Sequence, residues 1–419
     1  MNALAQTRVM TLDEIFSIAD NNNKTLKASR IAIDEAEQNV SVARSANLPQ
    51  VDISLYGGYL GNIWLADKDY SNGHWYSTPH FQTDFSVTAT EVIYAGGAIS
   101  NNIKMSTLKK QLAELSYKND VQSVHLLLSG YYLQLSQLYN AKKIYEENIE
   151  LTTRLINDIN ERYEAGTALK NDITRYELQR QELQLGLTST NNSIDIVNNQ
   201  LITALDLSEG TIVKPDTALS DIIKAQIESD WQTWAKESPM IQMAETSVSL
   251  SQQGEKLASS GMKPSVAITA GDKLQSPLTF EIIPENVEHS LNVWYVGVGV
   301  KYSLGSLWTD KRKLKEAKIS TAKAQENLRI AHDNISTNVH AAYVKLGEAF
   351  NVYESRQTAL KLANENYDVI HYRYLNGMAL ITDMLDASNS KLTAQLQLTN
   401  AQIAIAYNYC ILKSVVGTL

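Results

Sequence analysis

Cysteine is all but missing from this chain: of 419 residues, Cys410 is the single example. That count excludes a disulfide framework and a Cys-based zinc site. Long apolar runs are missing too. No stretch reaches the roughly 18 consecutive apolar residues that a membrane-spanning helix needs, so any membrane contact falls to strands or to a surface. Excess positive charge is absent, the formal net charge being −9, and this argues against nucleic acid as a partner, because phosphate binding needs clustered Lys and Arg. Phe is scarce, with 5 against 21 Tyr, a balance that suits half-wet surfaces better than one dry core. His332 and His340 have no ligand-spaced Asp, Glu or Cys around them, and His371 stands alone, so no metal set is visible. There is no phosphate-cradling glycine loop and no nucleophile elbow. The chain reads as a protein without enzymatic chemistry and without a cofactor.

Proline, with 7 residues, is scarce and unevenly placed. Pro79 is followed by none until Pro215, and Pro284 by none to the end. Proline breaks helix interiors at about 3 kcal/mol, so both windows can carry very long helices. The apolar spacing agrees. From Leu328 to Tyr374 apolar residues recur at steps of three or four, with one slot skipped at Gln357. The mean step is close to 3.5, the period of a left-handed supercoil seam. Leu112, Leu115, Leu126, Leu133 and Ile144 begin a similar seam in the other window. A helix of about 65 residues would be about 100 Å long.

The chain also repeats itself. Arg162-Tyr163-Glu164-Ala165-Gly166-Thr167-Ala168-Leu169 returns 211 residues later as Arg373-Tyr374-Leu375-Asn376-Gly377-Met378-Ala379-Leu380, and Asp172 is matched by Asp383. Each half has a medium helix, an X-Pro stop (Leu48-Pro49, Lys263-Pro264), two strand-like runs, and two long helices around a Gly-containing turn. This is a tandem duplication. Residues 1–10 are expected to be disordered, with Ala3-Leu4-Ala5 the stub of a removed export signal. The first repeat is expected over 11–206, with a β-hairpin at about 51–94 and a helical hairpin at about 97–206. Residues 207–240 are expected to link the halves through short elements packed outside the helices. The second repeat follows over 239–417, with strands at about 265–303 and helices at about 309–417. Thr11-Leu12-Asp13-Glu14 opens the first helix as a capping box, and that helix can run to about Asn47.

Four strands per chain make an open sheet with two raw edges, which a membrane forbids because unpaired N–H and C=O groups find no water there. Closure therefore needs several copies. Two would give eight strands, whose interior fills with side chains, whereas three give twelve and leave an aqueous opening. Tyr56, Tyr59, Trp64, Tyr94, Trp294, Tyr295 and Tyr302 could supply the aromatic girdles of such a barrel in outer-membrane lipid. A soluble hairpin decorated with aromatics would look the same from the strands alone.

With these features in place, the chain from about Thr11 to Gly417 resembles the TolC-like outer-membrane efflux protein family. Ile93-Tyr94-Ala95-Gly96-Gly97 at the head of the first long helix, and Arg-Tyr-x-x-Gly followed by Asp in both halves, carry the resemblance. Leu304-Gly305-Ser306-Leu307 departs from the family's Gly-rich run at the second junction. The resemblance implies a mostly α fold with a transmembrane β portion. It implies a homotrimer in the outer membrane of a Gram-negative bacterium, with a twelve-strand barrel and a helical tunnel through the periplasm. It implies a periplasmic adaptor (membrane fusion) protein docking at Gly166, Thr167, Ala168 and Leu169 and at Gly377, Met378, Ala379 and Leu380. An inner-membrane transporter of the RND or ABC type would supply the energy.

Asp383 and Asp386 share a helix face at i,i+3, just after the second turn. Carboxylates there complement the helix dipole, worth about 0.3–1 kcal/mol each; the resemblance implies instead that they ring the periplasmic mouth of the tunnel. It also implies a closed-state latch between Asp172 and Tyr374, with Ala379 standing where the family's second link has an Arg. A periplasmic adaptor would share one long helical hairpin but should carry it between two halves of a lipoyl-like domain. A coiled-coil scaffold would leave the four strands unexplained.

Overall fold

The computed structural model describes residues 7–216, 228–277 and 289–419. The first half runs β1 (Thr7–Met10), α1 (Leu12–Asn22), α2 (Lys24–Ser45), β2 (Gln50–Tyr59), β3 (Ile63–Leu65), β4 (His74–Tyr76), β5 (Phe81–Ala95), α3 (Ala98–Glu164) and α4 (Lys170–Ala204). Then follow β6 (Ile212–Pro215), α5 (Glu228–Ala235), α6 (Pro239–Ser260), β7 (Ser265–Ser276), β8 (Leu291–Lys301), α7 (Ser306–Leu375) and α8 (Ile381–Val416). Both proline-free windows carry the long helices that their spacing predicts. No described helix is long and apolar enough to cross a membrane.

Two compact units divide the chain, and they cut across the duplication. One comprises Met1–Ile33, Ala113–Ala244 and Leu328–Leu419, the other Asp34–Leu112 and Glu245–Asn327. The first is held by three apolar clusters. Leu128, Leu133, Leu135 and Leu201 centre one, with Ile15 and Val213 packed in. Trp231, Val339, Ile405 and Leu412 centre the second, and Ile159, Tyr176, Tyr367 and Met384 the third. The duplication is written into this packing. The buried residues Tyr176, Leu183, Thr190, Ile194 and Leu201 of α4 recur 211 positions later as the buried Ala387, Ala394, Ala401, Ile405 and Leu412 of α8. Ile194 and Leu201 keep their residue type in the second copy, whereas Tyr176 and Leu183 are replaced by the smaller Ala387 and Ala394.

Several sequence expectations need correction. The first helix does not reach Asn47; it stops at Asn22. Asn23 leaves helical geometry at φ −58° and ψ 129°, and its Oδ1 accepts the N–H groups of Thr25 at 2.9 Å and Leu26 at 3.2 Å, which makes it the N-cap of α2. Its Nδ2 donates to the Ala204 carbonyl at 2.8 Å. Residues 7–10 are not a disordered tail, because β1 pairs in parallel with β6, Thr7 opposite Ile212 through Met10 opposite Pro215. That partner lies some two hundred residues away, beyond any local signal. In the linker, the short helix α5 packs Trp231, 3% exposed, into the second cluster beside residues of α7 and α8. Ala3-Leu4-Ala5 lies outside the described residues.

The second unit holds a four-stranded antiparallel sheet in the order β2-β5-β7-β8. The two repeats meet at β5 and β7, leaving β2 and β8 as edges unpaired among the described residues. The two strand-to-helix junctions differ. Gly96 and Gly97 both take positive φ, +65° and +90°, and a Cβ on Gly96 would collide with the Ser260 carbonyl. In the second repeat Ser306 instead donates its N–H to Ser303 at 3.1 Å, an ordinary turn that needs no left-handed glycine.

Candidate functional site

The strands place two chemistries on two faces, because side chains alternate with period two. One face carries Val51, Ile53 and Leu55 on β2, Phe85, Val87 and Ala89 on β5, Ile268, Ala270 and Leu274 on β7, and Trp294, Val296 and Val298 on β8. The other carries Asp52 and Ser54, then Asp84, Ser86 and Thr88, then Thr269, Gly271 and Lys273, then Tyr295, Gly297 and Gly299. The apolar face is bare: Ile53 is 70% exposed, Leu55 73% and Val298 69%. A soluble sheet buries such a face against a second layer. Two acids interrupt it: Glu91 lies opposite Ile268, and Asp272 sits between Val87 and Trp294 and accepts a hydrogen bond from Asn292 at 2.9 Å.

Register also sorts the aromatic candidates. Tyr59, Tyr94 and Trp294 lie on the apolar face. Tyr56 and Tyr295 lie on the polar face, which removes them from a lipid-facing girdle; residue type alone carries no strand phase. The Tyr295 ring covers its cross-strand neighbour Gly271, where an added Cβ would stand 2.8 Å from the ring. Trp64 faces Trp75 in the separate β3–β4 hairpin, outside this sheet, and Tyr302 is exposed just past the end of β8.

The two glycine turns are copies of one another. Gly166 has φ +73° and Gly377 φ +71°. Thr167 donates its N–H to Arg162 at 2.8 Å, and Met378 to Arg373 at 2.8 Å. Gly166 and Gly377 donate to Tyr163 at 2.9 Å and to Tyr374 at 3.0 Å. This is the helix-ending motif that places glycine at C′. Space does not demand glycine there, since no atom lies within 4 Å of a methyl added at either position; the backbone angle does. Leu169, Met378 and Leu380 are exposed beside these turns, and the Arg162 guanidinium donates to the Leu375 carbonyl at 3.4 Å, joining one turn to the other.

The carboxylates just beyond the turns have local duties. Asp172 accepts the Leu169 N–H at 3.3 Å, and Asp383 the Leu380 N–H at 3.0 Å, each steadying the first turn of its helix. Asp386 is exposed and has no ion pair among the described residues. Asp172 and Tyr374 share no hydrogen bond. They are electrostatically coupled all the same: burial pushes the Tyr374 phenol above its ordinary pKa, the Asp172 charge adds to the rise, and Arg162 opposes it.

A residue that motif reading missed lies under this point. Tyr176 is 1% exposed, its phenol has no partner, and burial first, then Tyr374, Tyr367 and Asp172, push its pKa far up. Its signal was the pairing of Tyr176 with Ala387 in the repeat. Lys391 Nζ lies 4.4 Å over the Tyr367 ring, and neutral amide pairs link the hairpins, Gln179 to Asn389 at 2.7 Å and Gln137 to Asn400 at 2.7 Å. These groups hold neighbouring helices together through polar contacts.

Comparison with known proteins points the same way. The sequence pattern of the outer membrane efflux protein family matches residues 15–206 and 232–418. The chain is 21% identical to outer membrane protein TolC of Escherichia coli strain K12, over 97% of this chain and 82% of that one. Among solved structures, CusC superposes with a TM-score of 0.81 at 16% identity, covering 97% of this chain and 91% of the other. The outer membrane protein VceC of Vibrio cholerae gives 0.77 at 13% identity, covering 97% and 96%. The chain belongs to the outer membrane efflux protein family, whose members are outer-membrane channels.

Proposed function

We propose that three copies of this chain join their sheets edge to edge into a twelve-stranded barrel across the outer membrane, continued by a helical tunnel in the periplasm. The assembly is a passive exit duct. It takes its cargo from a periplasmic adaptor and an inner-membrane transporter of the RND or ABC type, which supplies the energy, and the adaptor docks at the Gly166 and Gly377 turns. The observation that carries this reading is the sheet: two unpaired edges, one bare apolar face and one polar face. In lipid, free edges must be paired, the apolar face turns outward, and the polar face lines water. Twelve strands are the smallest multiple of four that leaves an opening. At the turns, Asp386 offers an uncommitted charge at the tunnel mouth, and Tyr374 near Asp172 supplies a polar link that holds the mouth shut at rest.

The test is fractionation followed by electrical recording. The full chain, with an export signal, should collect in the outer-membrane fraction and form ion-conducting channels in planar bilayers. Recovery as a soluble periplasmic protein, or as an outer-membrane protein that never conducts, would overturn the reading.

A further inference from the structure

The edges of the sheet are continuous with two helices, since α2 leads into β2 and β8 leads into α7. Both helices bury one flank and leave the opposite flank bare. On α2, Val40 and Ala43 are buried, while Asp34, Glu35, Gln38 and Val42 are exposed on the other side, Val42 by 59%. On α7, Asp310 and Thr321 are buried, while Trp308, Arg312, Lys315, Ile319 and Ala322 are exposed, Trp308 by 68% and Ile319 by 62%. Steps alternating between three and four mark the second set as a coiled-coil seam with no partner among the described residues.

The two flanks carry opposite charge. Lys311, Arg312, Lys313, Lys315, Lys318 and Lys323 crowd the start of α7 against Asp310 and Glu316, in a chain whose net charge is −9. Lys313 is paired with Asp310 at 3.0 Å; among the described residues Arg312, Lys315 and Lys318 have no ion pair. On α2, Glu37 is paired with Lys110 at 3.2 Å, and Asp34 and Glu35 have no ion pair among the described residues. Depth matches as well. Asp34 and Glu35 lie about three turns before the end of α2 at Ser45, and Arg312, Lys315 and Lys318 about two to three turns after the start of α7 at Ser306.

We infer that α7 of one copy packs against α2 of the next, with Arg312, Lys315 and Lys318 facing Asp34 and Glu35, and Trp308, Ile319 and Val42 forming the apolar part of the contact. The inference rests on the trimeric reading and names the contact that orders it. Antiparallel pairing of β8 with the next copy's β2 lays the two helices side by side in the required orientation. The contact is head-to-tail and closes into a ring when successive copies are turned by a third of a revolution. Opposite charges in such a seam set register and reject a copy approaching by the wrong edge. Anionic lipid headgroups would also attract the basic flank of α7. A lipid surface gives no role to the matched acidic flank of α2, and a second copy does.

The experiment uses the full chain extracted in detergent and the triple variant R312E/K315E/K318E. Its trimer should dissociate at about tenfold higher protein concentration than the unaltered chain, and adding D34K/E35K should restore assembly to within about twofold. Because charge reversal can also impair folding, a second measurement keeps the question open to failure: E35C with K315C in one chain should cross-link on mild oxidation into species of two and three copies, with neither single variant doing so. A trimeric unaltered chain with an equally stable triple variant and no cross-link would refute the contact while leaving the channel standing. A triple variant that stays trimeric but sheds copurified anionic phospholipid would assign the basic flank to the membrane and overturn the inference. An unaltered chain that is not trimeric would overturn the channel reading itself, and this contact with it.

Discussion

The helical clusters and the four-stranded sheet are built from the same kinds of residue and use them in opposite ways. Leu128, Leu133 and Leu135 are at most 2% exposed in the first cluster, whereas Ile53, Leu55 and Val298 are about 70% exposed on the sheet. Burial of one such side chain contributes roughly 1.5–3 kcal/mol, and the clusters gather that within one chain. The edge strands of the sheet gather little of it alone. In the proposed assembly the sheet's stability comes from lipid on one face and from further copies at both edges, so substitutions in the two regions should fail in different ways.

The sharpest contrast comes from charge on the sheet. Val296→Arg places a cation on the apolar face at the middle of β8, at a cost of about 2–4 kcal/mol in each copy for a bilayer-centred position. Thr88→Lys adds the same charge on the polar face beside Asp52. The first should abolish recovery of channels from the outer membrane and the second should leave it unchanged; equal outcomes would erase the distinction between the faces. Next comes the helical core. Leu128→Ala should cost about 2–5 kcal/mol, seen as a lowered thermal midpoint of the helical signal, with assembly retained at low temperature.

Gly166→Ala and Gly377→Ala should each cost about 1–2 kcal/mol through the left-handed backbone alone, detected as faster amide exchange confined to the turns. A larger loss would mean that something packs against these glycines after all. Smallest in stability, and read electrically, are the polar groups at the proposed mouth. Tyr374→Phe should raise resting single-channel conductance. Asp172→Ala should do so too, while also loosening the Leu169 cap, and the pair should be less than additive. Asp386→Asn leaves the Asp383 cap intact and should lower cation selectivity; unchanged selectivity would return the acids to their helix-end role.

Much of this architecture is legible in the sequence. Proline spacing, the 3.5-residue period and the 211-residue repeat locate the long helices, the strands and both glycine turns, because each is a local pattern reinforced along the chain. Asn23 escapes because an apolar rhythm continues across it while its side chain ends one helix and begins another. The β1–β6 pairing escapes because its two halves are far apart in sequence. Tyr56 and Tyr295 are misplaced when aromatic content is counted without strand phase. The acidic pair is visible, yet the hydrogen bond that occupies Asp383 and spares Asp386 requires geometry.

The central claim is that the open edges β2 and β8 are closed by other copies of the same chain. Native mass measurement of the full chain, extracted in a mild detergent that preserves oligomeric porins, tests it most directly. The account predicts a single species of three chains; a monomer or a dimer under those conditions would contradict it.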